Sequence, residues 1–233
     1  MTETGSEAVR TEGVWKTFRQ GGEEVNAVRD VSLVVERGAF AALAGPSGSG
    51  KTTLLNLIGG LTRPTRGRIW VAGEELNPMS GQQLARHRLR EIGFVFQAYN
   101  LLPVLTAMEN AEFPLLLQGV GADERRARVR ALFERTGMRG LEHRRPGKLS
   151  GGQQQRVAVV RAVASLPALV LADEPTANLD SASGEALLDV MDELNRELGL
   201  TFVFATHDAR VMERSRRLVR MLDGRIDSDE ARA

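Results

Sequence analysis

One stretch constrains the chain more than any other: Gly45-Pro46-Ser47-Gly48-Ser49-Gly50-Lys51-Thr52-Thr53. A short apolar run, Phe40–Leu43, precedes it, and a helical pattern from Leu54 to Gly59-Gly60 follows. A match to G-x-x-x-x-G-K-[ST] between a buried strand and a helix is a loop built to cradle phosphate. Glycines let the backbone bend tightly, so that several N–H groups point inward at one anion. The helix that follows aims its positive dipole end at the same point. Lys51 supplies a mobile cation for the β- and γ-phosphates, and Thr52 offers a hydroxyl to Mg²⁺. The loop predicts nucleoside triphosphate binding without choosing among kinase, GTPase and ATPase.

The rest of the chain agrees with the α/β setting that such a loop requires. Apolar runs at Val31–Val35, Phe40–Leu43, Arg68–Val71, Phe94–Phe96, Leu169–Ala172, Thr201–Ala205 and Leu218–Leu222 read as strands. They alternate with amphipathic helical patterns, which predicts a mainly parallel sheet. From about Tyr99 to Val163 the pattern is mostly helical, with a helix over Asp123–Arg135 capped by Asp123. This stretch reads as a helical lobe, about 98–163, inserted between the halves of an α/β lobe, about 11–97 and 164–226. The ends, 1–10 and 227–233, read as loosely held. A net charge of +1 gives no broad field for a polyanion, so nucleic acid is not favoured as a partner. Without cysteine there is no disulfide or thiol chemistry. Met1 to Gly13 lacks the apolar core of a secretory signal, and the apolar runs fall far short of the ~20 residues that span a bilayer. Any membrane role therefore needs a second chain.

Leu169-Val170-Leu171-Ala172-Asp173-Glu174 is an apolar strand ending in two carboxylates. Ligands of open α/β sheets lie beyond the carboxyl ends of strands. There Asp173 can hold Mg²⁺, and Glu174 can act as the base that polarises an attacking water. Phe202–Asp208 repeats the arrangement, and His207 at its end can bond the γ-phosphate and help orient that water.

Leu149-Ser150-Gly151-Gly152-Gln153-Gln154-Gln155-Arg156 decides the family. It resembles the signature motif of ABC ATPases and lies upstream of the acidic pair at that family's spacing. On its own it also reads as a capped helix start. Further segments resemble the family's motifs in order: Phe18 the aromatic that stacks on adenine, Gln97 the glutamine that touches Mg²⁺ or water, and Ala177-Asn178-Leu179-Asp180 the loop that crosses a dimer interface. The resemblance runs from about Gly13 to Ile226. It implies a P-loop NTPase (RecA-like) α/β core, an antiparallel N-terminal β subdomain and an inserted helical one.

The resemblance also implies ATP and Mg²⁺ as cofactors and a dimer, of this chain or with a similar ATPase. In it Leu149–Gln153 of one copy face the γ-phosphate held by the other, and Asp180 makes the main polar contact between them. It implies a separate membrane-spanning permease, contacted around Gln97–Leu105, and hence a cytoplasmic ATPase held indirectly at the membrane. Gln97–Pro103 with Leu105–Asn110 is similar to the lipoprotein-releasing and macrolide-exporting branch, an exporter or mechanotransmission type. Thr52 and Val160 depart from it slightly, where serine and a small residue are usual. Two alternatives stay open: the ATPase half of a signalling complex that controls a cell-wall enzyme, and an ABC ATPase with no membrane partner.

Overall fold

A computed structural model describes residues 6–232. Two sheets organise them. A four-stranded antiparallel sheet contains β1 (Glu7–Gln20), β2 (Glu23–Glu36), β4 (Arg66–Val71) and β5 (Glu74–Glu75), in the order β2-β1-β4-β5. A six-stranded sheet runs β10-β9-β3-β8-β7-β6, from β3 (Phe40–Ala44), β6 (Ile92–Phe96), β7 (Leu169–Asp173), β8 (Phe202–Thr206), β9 (Arg217–Leu222) and β10 (Arg225–Ala231). All its pairs are parallel except β9 with β10.

The central strands are apolar throughout because both of their faces are covered. Side chains alternate along a strand. Val170 and Ala172 join a core with Phe40, Phe202 and Phe204, while Leu169 and Leu171 join a second core with Leu43, Leu54 and Val203. The first core lies under α3 (Ala107–Leu117), α4 (Ala122–Arg135), α5 (Gly151–Val163) and α6 (Ser181–Leu198). The second lies between the two sheets and α1 (Lys51–Ile58). Helices α2 (Gly81–Glu91) and α7 (Ala209–Arg214) complete the fold. Between Phe96 and Leu169 the chain forms α3, α4, a 3-10 turn at Pro146–Lys148 and α5, and no strand.

Three expectations need correction. Segment 7–10 is not loose: it opens β1, where Val9 pairs with Val35 on one side and Val71 on the other. Segment 227–231 is likewise paired, with Asp229 opposite Val219 and Ala231 opposite Arg217. β10 is an edge strand whose residues are mostly exposed; backbone pairing and a two-bond contact from Arg217 to Asp229 define it, and no apolar alternation marks it. Residues 1–5 and 233 lie outside the described residues. Asp123 is not a cap. Gly121 holds that position without a side-chain bond, and Asp123 and Glu124 lie in the first turn of α4, where carboxylates suit the helix dipole. Val31–Val35 is only the buried end of the longer β2.

Candidate active site

The phosphate loop leaves β3 at Ala44 and enters α1 at Lys51. Its path requires glycine at two places. A Cβ on Gly45 would lie 2.2 Å from the Met221 carbonyl oxygen, and one on Gly50 would lie 2.3 Å from that of Ala27. Both also have positive φ, +157° and +99°. Lys51 is nearly buried, and its Nζ donates to the carbonyls of Gly45 (2.7 Å) and Pro46 (2.9 Å). Its ammonium is thus held inside the loop where a phosphate would sit. Burial lowers its pKa, while Glu174 and Asp173 pull the other way. The buried Ser49 Oγ has no partner among the described residues, as a loop awaiting an acceptor would leave it.

The strand ends bring the acidic groups to this loop. Thr52 Oγ1 donates to Asp173 Oδ1 at 2.9 Å. Burial raises the pKa of Asp173, Glu174 adds to the rise, and Thr52 and Lys51 oppose it. One residue on, Glu174 has a left-handed backbone, φ 46°, uncommon outside glycine. Its carboxylate accepts from Thr206 Oγ1 at 3.1 Å and lies 2.6 Å from His207 Nδ1. Contacts from two sides hold the residue in this sparsely populated conformation.

A cleft of about 640 Å³ is lined by Phe18, Ala27, the loop residues Pro46, Ser47, Gly48, Gly50, Lys51, Thr52 and Thr53, and by Gln97, Glu174 and His207. Phe18 is half exposed at its rim with Lys16 Nζ 5.0 Å from its ring. The donor set suits Mg²⁺. Among the described residues no cluster of three His, Asp or Glu could hold a metal unaided. One hydroxyl and one carboxylate beside a phosphate cradle match an ion that binds few protein ligands and shares substrate oxygens. Thr52 and Asp173 would hold it, with Gln97 in reach of the cleft; the bound ion would neutralise charge on the phosphates.

Leu149–Gln153 do not line this cleft. Ser150 caps α5: its Oγ accepts from Gln153 N at 3.3 Å, and Gln153 Oε1 accepts from Ser150 N at 3.0 Å. This capping box occupies both side chains and leaves the N–H groups of Gly151 and Gly152 at the helix tip. Asp180 is also a cap, of α6, accepting from Ser183 N (2.9 Å) and Ser183 Oγ (2.7 Å).

Sequence reasoning missed the groups that hold the site together. Thr206 fixes Glu174, Asn178 Nδ2 donates to the Gln97 carbonyl at 2.9 Å, and buried Gln155 donates to the carbonyl of Pro175 at 2.9 Å. These contacts join distant segments, so no spacing announces them. Asp208 is another. It caps α7, and bonds from Arg210, with a further one from Thr176, lower its pKa to about 2. The folded chain therefore binds fewer protons here than the unfolded one, whose carboxyl titrates near 3.8. The stabilisation is complete above that value and is lost as pH falls toward 2. The melting-temperature gap between the chain and Asp208→Asn should be widest above about pH 4 and close on acidification; a gap constant with pH would contradict the assignment.

A phosphate loop on a parallel sheet, facing strand-end carboxylates, defines a P-loop nucleoside triphosphatase. The family model described as ABC transporter matches residues 28–177, and the chain belongs to this family as an ATP-binding, ATP-hydrolysing cassette. It is 46% identical to the lipoprotein-releasing system ATP-binding protein LolD of Anaeromyxobacter dehalogenans, over 95% of this chain and 93% of that one. It is 44% identical to the macrolide export ATP-binding/permease protein MacB of Chromobacterium violaceum, over 94% of this chain but only 34% of that longer protein. The dimeric, post-hydrolysis structure of the cassette MJ0796 bound to ADP and Pi superposes with a TM-score of 0.88 at 40% identity, covering 96% of this chain and 98% of that one.

Proposed function

We propose that two copies of this chain close around two Mg·ATP and drive a separate membrane-spanning permease. One observation carries the reading: the cleft gathers Phe18, the phosphate loop, Gln97, Glu174 and His207 but not Leu149–Gln153, so one chain supplies only part of a site. Phosphoryl transfer to water depends on positioning and charge stabilisation. Phe18 stacks on the base. Lys51 and the backbone N–H groups of Gly45 and 47–53 take the phosphate charge. Glu174, held by Thr206, accepts the proton of the attacking water, and His207 steadies both. The N–H groups of Gly151 and Gly152 from the second copy close the γ-phosphate from the other side. Asp180 meets the second copy beside its loop. Closure excludes solvent and completes the site, which ties hydrolysis to dimerisation.

A second groove, of about 700 Å³, supports the membrane partner. It lies between α2, α3 and α5 and is lined by Leu61, Leu89, Phe94, Phe96 and Leu117, close to Gln97. Leu61 and Leu117 are exposed there, as a surface that docks another chain requires. No helix among the described residues is long and apolar enough to cross a membrane. The similarity to LolD and MacB supports a partner of the exporter or mechanotransmission kind, and a site of action on the cytoplasmic face of the membrane.

Gly152→Asp tests the two-copy site. A carboxylate at the tip of α5 repels a γ-phosphate presented by the other copy. ATP hydrolysis should fall by about a hundredfold or more, the scale of losing one preorganised donor, while nucleotide affinity of the single chain is unchanged. Parallel loss of affinity, measured by calorimetry without Mg²⁺ at a concentration where sedimentation shows a single chain, would show that the signature serves its own chain's nucleotide.

A further inference from the structure

The polar groups behind Glu174 form a chain that ends on an arginine outside the nucleotide cleft. Thr206 Oγ1 accepts from the Asp208 N–H at 3.0 Å and donates to Glu174 Oε2 at 3.1 Å. An amide N–H only donates and a hydroxyl has one hydrogen, so the bond from Asp208 leaves that hydrogen for the carboxylate. Where Asp208 sits therefore decides where the hydroxyl points. Arg210 fixes Asp208. Its Nε lies 3.1 Å from both Asp208 oxygens, its Nη2 2.7 Å from Oδ2, and its backbone N 2.9 Å from Oδ1. Thr176 Oγ1 donates to the same Oδ2 at 2.7 Å. The pairing lowers the pKa of Asp208 and raises that of Arg210. The far side of the guanidinium is anchored too, as Nη1 donates to the carbonyl of Ser181, the first residue of α6, at 3.1 Å. It reaches that carbonyl across Gly184, where an added Cβ would lie 2.7 Å from Nη1 and 3.1 Å from Cζ. Glycine weakens a helix relative to alanine, and here the space it leaves is filled by Arg210.

We propose that Arg210 is a positioning residue for ATP hydrolysis: anchored on the start of α6, it holds Asp208 so that the Thr206 hydroxyl orients Glu174 toward the attacking water. The inference rests on the reading of Glu174 as the base and adds what keeps that base in place. A planar guanidinium that bonds both oxygens of a carboxylate fixes direction as well as distance. Glu174 needs such restraint, because its left-handed backbone, φ 46°, is costly for a residue with a side chain. Neither Asp208 nor Arg210 lines the nucleotide cleft. Loss of the arginine therefore falls on the chemical step, through the placement of Glu174, and leaves the phosphate loop that binds ATP untouched.

The test measures ATP hydrolysis by the full chain and its variants at one chain concentration, each beside its melting temperature. Arg210→Met removes the guanidinium and keeps an unbranched stem. Its kcat should fall about ten- to hundredfold, the scale of displacing a positioned group, with KM for ATP changed by less than about twofold. Arg210→Lys keeps the charge without the planar fork and should recover only part of the rate. Gly184→Ala separates positioning from folding. Alanine favours the helix, so the melting temperature should hold, while the new Cβ pushes the guanidinium off Ser181 and kcat falls by about threefold or more. Unchanged turnover in Gly184→Ala overturns the proposal by itself, which keeps the test decisive should Arg210→Met fail to fold. The last arm places Arg210→Met in the Glu174→Gln background, where it should add less than about twofold to the loss, because both act through one carboxylate. Full additivity there, or a rise in KM that matches the fall in kcat, overturns the role of Arg210 and leaves Glu174 as base. Near-normal turnover by Glu174→Gln alone overturns the base reading and this inference with it.

Discussion

Glu174→Gln should give a chain that binds ATP, hydrolyses it about 10²–10⁴-fold more slowly, and accumulates as a dimer of the 25.5 kDa chain. The amide has the size of the carboxylate and keeps its neighbours. Its oxygen accepts from Thr206 Oγ1 as Oε2 does now, and its NH₂ can donate to His207 Nδ1 in the tautomer that leaves that nitrogen bare. What disappears is the capacity to take a proton from water. Binding relies on Lys51 and the loop amides, so it survives, and ATP that is not consumed holds the two copies together. Phosphate release measured beside sedimentation velocity with ATP and with ADP reads both effects. Turnover near that of the unmodified chain would remove Glu174 from the role of base.

Lys51→Ala should have the opposite profile, with binding lost first. Lys51 provides the cation between the loop carbonyls and the carboxylates of Asp173 and Glu174. Without it, a triphosphate meets two strand-end acids with only backbone amides in its favour. Removing one member of a desolvated charge pair costs about 2 kcal/mol or more, a weakening of about thirtyfold or greater in Kd. The rise in melting temperature that ATP gives the unmodified chain should vanish at the same nucleotide concentration. The nucleotide-free fold should persist, because water in the open cleft can serve the Gly45 and Pro46 carbonyls. A variant that ATP still stabilises fully would mean the phosphates lie elsewhere.

Both variants change residues whose roles follow from their place in the linear chain. Lys51, Thr52, Asp173, Glu174 and His207 each lie at a strand end or helix start, and the order of apolar runs is enough to bring strand ends to one edge of a parallel sheet. Phe18 was placed through family likeness, since an exposed aromatic on a long antiparallel strand has no local mark. The helix over 81–91 was not anticipated, although Ser80 and Gln83 form a capping box there. Its few apolar residues, Leu84 and Leu89 among charges, give a weak stripe. The paired ends of the chain have no local mark for a related reason: an edge strand such as β10 is held by backbone bonds and by the Arg217–Asp229 pair, neither of which composition records.

The linear order of residues determined the phosphate cradle, the acidic strand end, the signature segment and the alternation that builds a parallel sheet. Each is local chemistry, fixed by residue types within a few positions. Only the tertiary structure decided that Glu174 is strained and held by Thr206 and His207, that Ser150 and Gln153 spend their side chains on a cap, and that Arg210 reaches across Gly184 to Ser181. Those facts depend on which remote segments meet, and a contact between residues dozens of positions apart leaves no periodicity in the chain that makes it.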